Sequence, residues 1–539
     1  MEDKLLLRSF FTTRALRDPD TIAVHEYDSG AKYTYQDLLH RSLQIADYLK
    51  AFGIEKGERV ALCSRNAHWS IELFYAMPIV GSILTTYNCR LKTEELLCML
   101  EKERPKVLFY EACYAEIADK FKEIIPELIT VVLDDENLLS GQTYSSIMKR
   151  KQWGGPWADI NMEDIAMLGH TGGTTGIPKA AMISYRSLFY NTLNQIVDYS
   201  ISNKDIIYIS FPLFHMAAWS VALSVLQSGG RIIFKKVFDP EDSLRMTQSE
   251  HLTMLSGSPA VFRRMQQSPL FDNTDFSSVR GIRCGAASPS RELMERYWEK
   301  NLIFLNVYGM TESGTGILSF PVGSTTKELL IEKAGSAGKP MSFVELRIVD
   351  EAGNDVPEGE NGELLIHSAQ LFSGYWENEE ETSHVMEQGW LRSGDIAHRD
   401  KDGFYYICGR KKHMYISNGE NIYPLEIENL LLSWPEIKDT YVFGVPDPCR
   451  GEVGKALIVL TKGAVIDAQE LKSRLKKQLS TIKVPQYIQF VDDIPRNEAG
   501  KVLTRVIAEK YAYCGASGRE CVLERSLCGA SGRPFLNCF

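Results

Sequence analysis

The stretch that most constrains this chain runs from Leu168 to Arg186: Leu-Gly-His-Thr-Gly-Gly-Thr-Thr-Gly-Ile-Pro-Lys-Ala-Ala-Met-Ile-Ser-Tyr-Arg. Gly172, Gly173 and Gly176 let the backbone turn through positive φ and come close to a ligand, while Thr171, Thr174 and Thr175 add hydroxyl donors. Lys179 supplies a point charge. With Ile165 to Leu168 read as a short strand and Ser187 onward as a helix, successive N–H groups would converge on an oxyanion, so the expected occupant is phosphate. The loop is not of the Walker A kind, because Pro178 precedes the lysine and Ala180 follows it. Taken alone, the cluster also fits a plain strand-to-helix turn.

At 539 residues the chain is too long for one core, and two or more domains are the default. An apolar share of 44% with 24% charged residues describes an ordinary globular composition. The net charge of −10 argues against a nucleic-acid partner, which would need a basic face. Cys63, Cys89, Cys98, Cys113, Cys284, Cys408 and Cys449 are scattered without metal-binding spacing, and read as reduced, mostly buried thiols of a cytoplasmic protein. The first residues break any apolar run too early for a signal peptide. Ile206 to Gly230 carries no Lys, Arg, Asp or Glu, but Pro212, His215 and Gln227 interrupt it, so a strand, a loop and a buried helix are expected in place of an integral membrane segment.

Residues 1 to 160 alternate extended and helical patterns, with strands at Ala23 to His25 and Val60 to Cys63 and helices at Gln36 to Phe52 and Trp69 to Val80. This is the signature of sheets flanked by helices. Ile206 to Ser210 and Arg231 to Phe234 repeat the theme, and His215 follows a strand end, where open α/β sheets place ligands. Val279 to Ala287 is a strand running into Gly285, Ala286 and Ala287, small enough for a flat base to lie against the backbone. Tyr308, Gly309, Thr311 and Glu312 set an aromatic face, a hydroxyl and a carboxylate within five residues; the plain alternative is a helix cap at Thr311. Short alternating strands, among them Leu346 to Val349 and Glu363 to Ile366, suggest a small barrel. Asp395 follows a glycine and can accept two ribose hydroxyls, or close an Asx turn. Beyond the basic run Arg410 to His413, a smaller α+β pattern extends to about residue 510, and Lys501 sits in a glycine turn. The sequence Cys-Gly-Ala-Ser-Gly-Arg occurs at Cys514 and again at Cys528, and the tail 511–539 reads as a disordered or non-native extension.

In motif order across roughly residues 10 to 510, the Gly/Thr loop, Tyr308 to Glu312, Gly394-Asp395, Gly409 to His413 and Gly500-Lys501 resemble the adenylate-forming superfamily. That superfamily comprises acyl-CoA synthetases, luciferases and peptide-synthetase adenylation domains, and the resemblance is closest to acyl-CoA ligases. Gly172 stands where the family often has Ser, Ala180 where it often has Gly, and His413 where a carboxylate commonly follows the hinge.

The resemblance implies an α/β fold: an N-terminal domain over 1–409 with two helix-flanked sheets and a small β-barrel subdomain, a hinge at 410–413, and a mobile α+β domain over 414–510. It implies ATP, Mg²⁺ and coenzyme A, with the carboxylic acid, fatty or otherwise apolar, activated as acyl-AMP. Thr171, Gly172, Gly173, Thr174, Thr175, Gly176 and Lys179 would hold phosphate, Gly285, Ala286, Ala287, Tyr308 and Gly309 the adenine, and Asp395 and Arg410 the rest of the nucleotide. Lys501, Thr311 and Glu312 would be catalytic, with Glu312 and Thr174 toward the metal. His215 and Trp219 would line the acid pocket, Lys412 would be the pivot and Gly419 would border the CoA channel. An adenylation enzyme charging a carrier-protein phosphopantetheine shares every motif; a light-emitting oxygenase and a non-catalytic nucleotide-binding regulator are further alternatives. A homo-oligomer is left open.

Overall fold

The computed structural model describes residues 2–134, 142–171, 178–418, 420–447, 450–496 and 502–511. Gly172 to Gly176, Gly419, Lys501 and nearly all of the tail lie outside the described residues. The fold is α/β, and the chain separates into two compact units. The first contains residues 1–289, 293–347 and 365–393; the second contains 348–364 and everything from Gly394 onward, so the 410–413 run lies inside the second unit.

In the first unit a seven-stranded sheet has the order Gln142–Thr143, Ile129–Val132, Val107–Tyr110, Arg59–Cys63, Ile83–Thr86, Ile165–Thr171, Lys179–Ser184. All neighbours are parallel except the last pair. Helices Thr93–Glu103 and Ala115–Ile124 cover one face, burying Leu96, Leu100 and Phe121 against Ala61 and Leu108. A second sheet orders Ile206–Tyr208, Arg231–Phe234, Ile22–Glu26 and Lys32–Thr34. A third run sets Leu255–Gly257, Ile282–Cys284 and Phe304–Tyr308 side by side in parallel.

Local signals account for the helix starts. Thr34 caps helix Tyr35–Ala51 by accepting from Asp37 N–H, and the Asp37 carboxylate returns the bond to Thr34 N–H at 2.9 Å. Helix Met216–Ser228 ends at Gly229, whose φ of 87° suits a residue without a Cβ. That helix and strand Ile206–Tyr208 divide the uncharged run as expected, and no helix among the described residues is long and apolar enough to cross a membrane.

Two expectations are corrected. Lys179–Ser184 is a strand antiparallel to Ile165–Thr171, with Thr171 opposite Lys179, so the Gly/Thr loop closes a hairpin and does not lead into a helix. The helix begins only at Tyr185, capped by Ser184. Cys63 and Cys89 are joined by a disulfide and are not reduced thiols. Their strands, Arg59–Cys63 and Ile83–Thr86, are parallel neighbours that end at the same edge, which brings the two Cα atoms to 6.0 Å.

In the second unit, Trp390–Arg399 pairs antiparallel with Tyr405–Arg410, placing Asp395 opposite Arg410. A five-stranded sheet centred on Gly451–Leu460 packs Val442, Ala456 and Ile458 against Ile427 and Leu431 of helix Pro424–Leu432 and Leu471 and Leu475 of helix Ala468–Lys476.

Candidate active site

Within the first unit, three of the expected stretches meet at the carboxyl ends of strands. Gly169 lies in strand Ile165–Thr171 just before the loop, and a Cβ there would come within 3.0 Å of Thr311 Cγ2 and of Met216 Cγ. The loop stem, the Thr311–Ser313 turn and the start of helix Met216–Ser228 therefore close on one another because residue 169 has no side chain. Thr311 does not cap its turn. Ser313 does, accepting from Met310 N–H at 3.1 Å, and the Thr311 hydroxyl makes no hydrogen bond among the described residues. The Glu312 carbonyl accepts from Phe372 N–H at 2.9 Å, and its carboxylate from Tyr375 Oη at 2.8 Å. Lys179 is ion-paired with Glu381.

The adenine stretches are also brought together. Cys284 stands opposite Asn306 on parallel strands, so Gly285 to Ala287 and Tyr308-Gly309 leave the same sheet edge next to each other. Ala286 is exposed at a φ of 70°, unusual for a residue with a Cβ. At Gly309 a Cβ would meet the backbone of Thr315 and Gly316 at 2.8 Å, so only glycine fits.

His215 precedes the helix it was expected to precede, half-buried, with its ring 4.6 Å from Phe214. Burial, together with the nearby Arg90 guanidinium, lowers its pKa to about 4, so at neutral pH it is an uncharged donor and acceptor. Trp219 is corrected from pocket residue to core residue. It is fully buried, its indole N–H donates to Leu213 O at 2.6 Å, and its ring packs 5.1 Å from Phe74.

The second unit carries its own candidates. Asp395 is 3% exposed and receives Arg410 Nε at 2.7 Å across the ladder. It lies within a strand, after Gly394 at a φ of 68°, and forms no Asx turn. Lys411, Lys412 and His413 make a single exposed 3-10 turn, with Lys411 Nζ 3.1 Å from Glu363.

A buried network behind the loop stem carries no local sequence signal. Glu103, 1% exposed, accepts from Thr85 Oγ1 at 2.6 Å, Tyr87 Oη at 3.0 Å and His170 Nε2 at 2.7 Å, while His170 Nδ1 lies 3.1 Å from Thr86 O. A carbonyl and a carboxylate both accept, so both ring nitrogens carry protons. Burial alone would lower the His170 pKa, but Glu103 and the Thr86 carbonyl outweigh it and the net shift is upward. The residue preceding Thr171 is thus an imidazolium locked to the neighbouring strand. His170 lay inside the Gly/Thr stretch; Glu103, sixty-seven residues away, could be found only from the fold.

Oxygen donors from one carboxylate and one hydroxyl, Glu312 and Thr311, suit a hard cation completed by phosphate oxygens. No cluster of three His, Cys, Asp or Glu capable of holding a metal occurs among the described residues.

Residues 11–376 match the AMP-binding enzyme family and residues 426–501 the AMP-binding enzyme C-terminal domain. A feruloyl-CoA synthase of an Amycolatopsis species is 33% identical over 506 residues, covering 94% of this chain and 99% of that protein. A long-chain-fatty-acid–CoA ligase of Bacillus subtilis is 30% identical, covering 94% of each. The crystal structure of ATP-bound MatB from Rhodopseudomonas palustris superposes with a TM-score of 0.84 at 27% identity, over 94% of this chain and 99% of that one. With both segments matched in order and relatives aligned nearly end to end, this protein belongs to the AMP-binding enzymes and is an AMP-forming acid–thiol ligase.

Proposed function

We propose that the protein is an ATP-dependent carboxylic acid:CoA ligase that forms acyl-AMP with release of pyrophosphate and then transfers the acyl group to coenzyme A with release of AMP. The observation that carries this reading is the convergence of the Thr171–Lys179 stem, the uncommitted Thr311 hydroxyl and the Glu312 carboxylate in one unit. A carboxylate is a poor electrophile, and displacement at the α-phosphate gives its carbonyl a leaving group. Lys179, with Thr171, Thr174 and Thr175, would hold the departing pyrophosphate, and Thr311 and Lys501 would stabilise charge developing on the α-phosphate. Glu312, with Thr174, would hold Mg²⁺, which when bound neutralises phosphate charge. Tyr308 would stack on adenine, and Asp395, oriented by Arg410, would accept the ribose hydroxyls.

Thiol attack needs a different face of the carbonyl. In our reading the domain over 414–510 turns about Lys412, withdrawing Lys501 and bringing Gly419 to the pantetheine. For the acid we favour a fatty or other apolar chain, because neutral His215 leads into a helix whose interior is almost wholly apolar. The named relatives include ligases of both aryl and long-chain acids.

The test is incubation of the purified protein with ATP, Mg²⁺, CoA and, one at a time, saturated acids of increasing length and hydroxycinnamic-type acids. AMP and thioester should appear together and in equal amounts, with the aliphatic acids favoured. AMP without thioester would move the acceptor to a carrier protein, and preference for the aryl acids would overturn the fatty assignment.

A further inference from the structure

Three stretches distant in sequence meet at Tyr375. The segment from Phe372 onward runs along strand Lys179–Ser184: Ser373 N–H donates to Met182 O, Met182 N–H to Gly374 O and Trp376 N–H to Ala180 O, each at 2.8 Å. Gly374, at a φ of 118°, makes the bend, and a Cβ there would meet Thr382 Cγ2 at 2.8 Å. Thr382 Oγ1 accepts from Tyr375 N–H at 2.9 Å and donates to Asn378 O at 2.8 Å. The Tyr375 side chain is thus set from both directions and is buried. Its hydroxyl donates to Glu312 Oε1 at 2.8 Å, and the Lys179 ammonium lies 5.3 Å from its ring centroid.

We propose that Tyr375 is a positioning residue that couples the two charged groups of the nucleotide site, holding Glu312 through its hydroxyl and Lys179 through its ring face. The inference rests on the roles given above to Lys179 and Glu312. Lysine loses much rotamer freedom when it binds a phosphate, and a cation already seated on a ring has less to lose. A carboxylate that accepts from a phenol through Oε1 is fixed in rotamer, which orients Oε2 without consuming it. The two handles are chemically separable, since phenylalanine keeps the ring and loses the hydroxyl.

Calorimetric binding of ATP, with and without Mg²⁺, to the full-length protein and to Tyr375→Phe and Tyr375→Leu separates them. Tyr375→Phe should lose about tenfold in affinity for ATP with Mg²⁺ and bind ATP alone like the parent. Tyr375→Leu should lose a further factor of roughly five, in both conditions, from the missing cation–π contact. Unfolding midpoints measured on the same samples should not drop for Tyr375→Phe. Parent-like binding of ATP with Mg²⁺ by Tyr375→Phe, an equal loss with and without Mg²⁺, or a loss that tracks a lowered midpoint would each overturn the proposal. Glu312→Gln and Lys179→Ala serve as references: if they too bind like the parent, the site assignment fails, whereas if they alone weaken binding, only the coupling role fails.

Discussion

Two lysine-bearing turns can be compared, the one that ends at Lys179 and the one that carries Lys501. Lys179 opens a strand laddered to Ile165–Thr171, backed by the buried His170–Glu103 pair and flanked by the Tyr375 segment. The stretch leading to Lys501 is held far more lightly. A single bridge joins Arg496 to Val502, Leu503 N–H donates to Pro495 O, and Arg496 pairs with Asp439 at 2.8 Å with both side chains partly exposed. Buried, fully satisfied networks resist rearrangement, whereas partly exposed pairs contribute little and exchange readily with water. The first lysine is built to wait in place, and the second is tethered so that it can come and go.

The comparison breaks first at Glu103. Glu103→Leu leaves the His170 imidazolium buried without its carboxylate, and should cost about 3–5 kcal/mol of stability, read by chemical denaturation. A loss below about 1 kcal/mol would show that the stem does not depend on that pair. Next comes Lys501→Ala, expected to lower acyl-adenylate formation by about 10²–10³-fold while leaving thiolysis of preformed adenylate and the unfolding midpoint close to the parent's. Equal loss of both half-reactions would contradict a lysine that serves only one of them.

Glu428 sharpens the picture on the looser side. Burial raises its carboxyl from 4.5 to about 7, partly offset by the Val442 N–H and the nearby Arg496. The folded protein therefore binds this proton more tightly than the unfolded chain between those values, and stability falls as pH rises through the window. Glu428→Gln keeps an oxygen for Val442 N–H, and should exceed the parent by about 3 kcal/mol at about pH 8, with the two converging at about pH 4. A constant difference across pH would remove the titration from the account. The smallest effect is expected at Glu381, the half-exposed partner of Lys179. Glu381→Gln removes a competitor for the incoming phosphate and should tighten ATP binding by roughly threefold, and weaker binding would make Glu381 a support instead.

Much of the fold was legible because its signals are local. The capping box at Thr34 and Asp37, the glycine after Ser228 and the proline opening helix Pro424–Leu432 mark their boundaries within a residue or two. What escaped was pairing across distance. Lys179 to Ser184 contains two alanines and only two large apolar residues, so its strand character comes from the partner strand and not from its own pattern. Cys63 and Cys89 become neighbours only once their strands are parallel neighbours. Trp219 fell on a helix apolar on nearly every side, where periodicity does not say which face meets a ligand and which meets the core. Glu103, Tyr375 and Glu381 are ordinary residues in their own segments, and acquire meaning only through His170, Glu312 and Lys179. The chemistry-bearing residues themselves were readable because glycine, threonine and lysine at a phosphate turn are required by backbone geometry and charge.

The central claim is that an acid attacks ATP before any thiol is involved. Exchange of labelled pyrophosphate into ATP, run without coenzyme A across a panel of carboxylic acids, tests it most directly. The account predicts that label enters ATP only when an acid is present, and that Lys501→Ala abolishes the exchange. Label entering ATP with no acid, or no exchange with any acid by a protein that binds ATP, would contradict it.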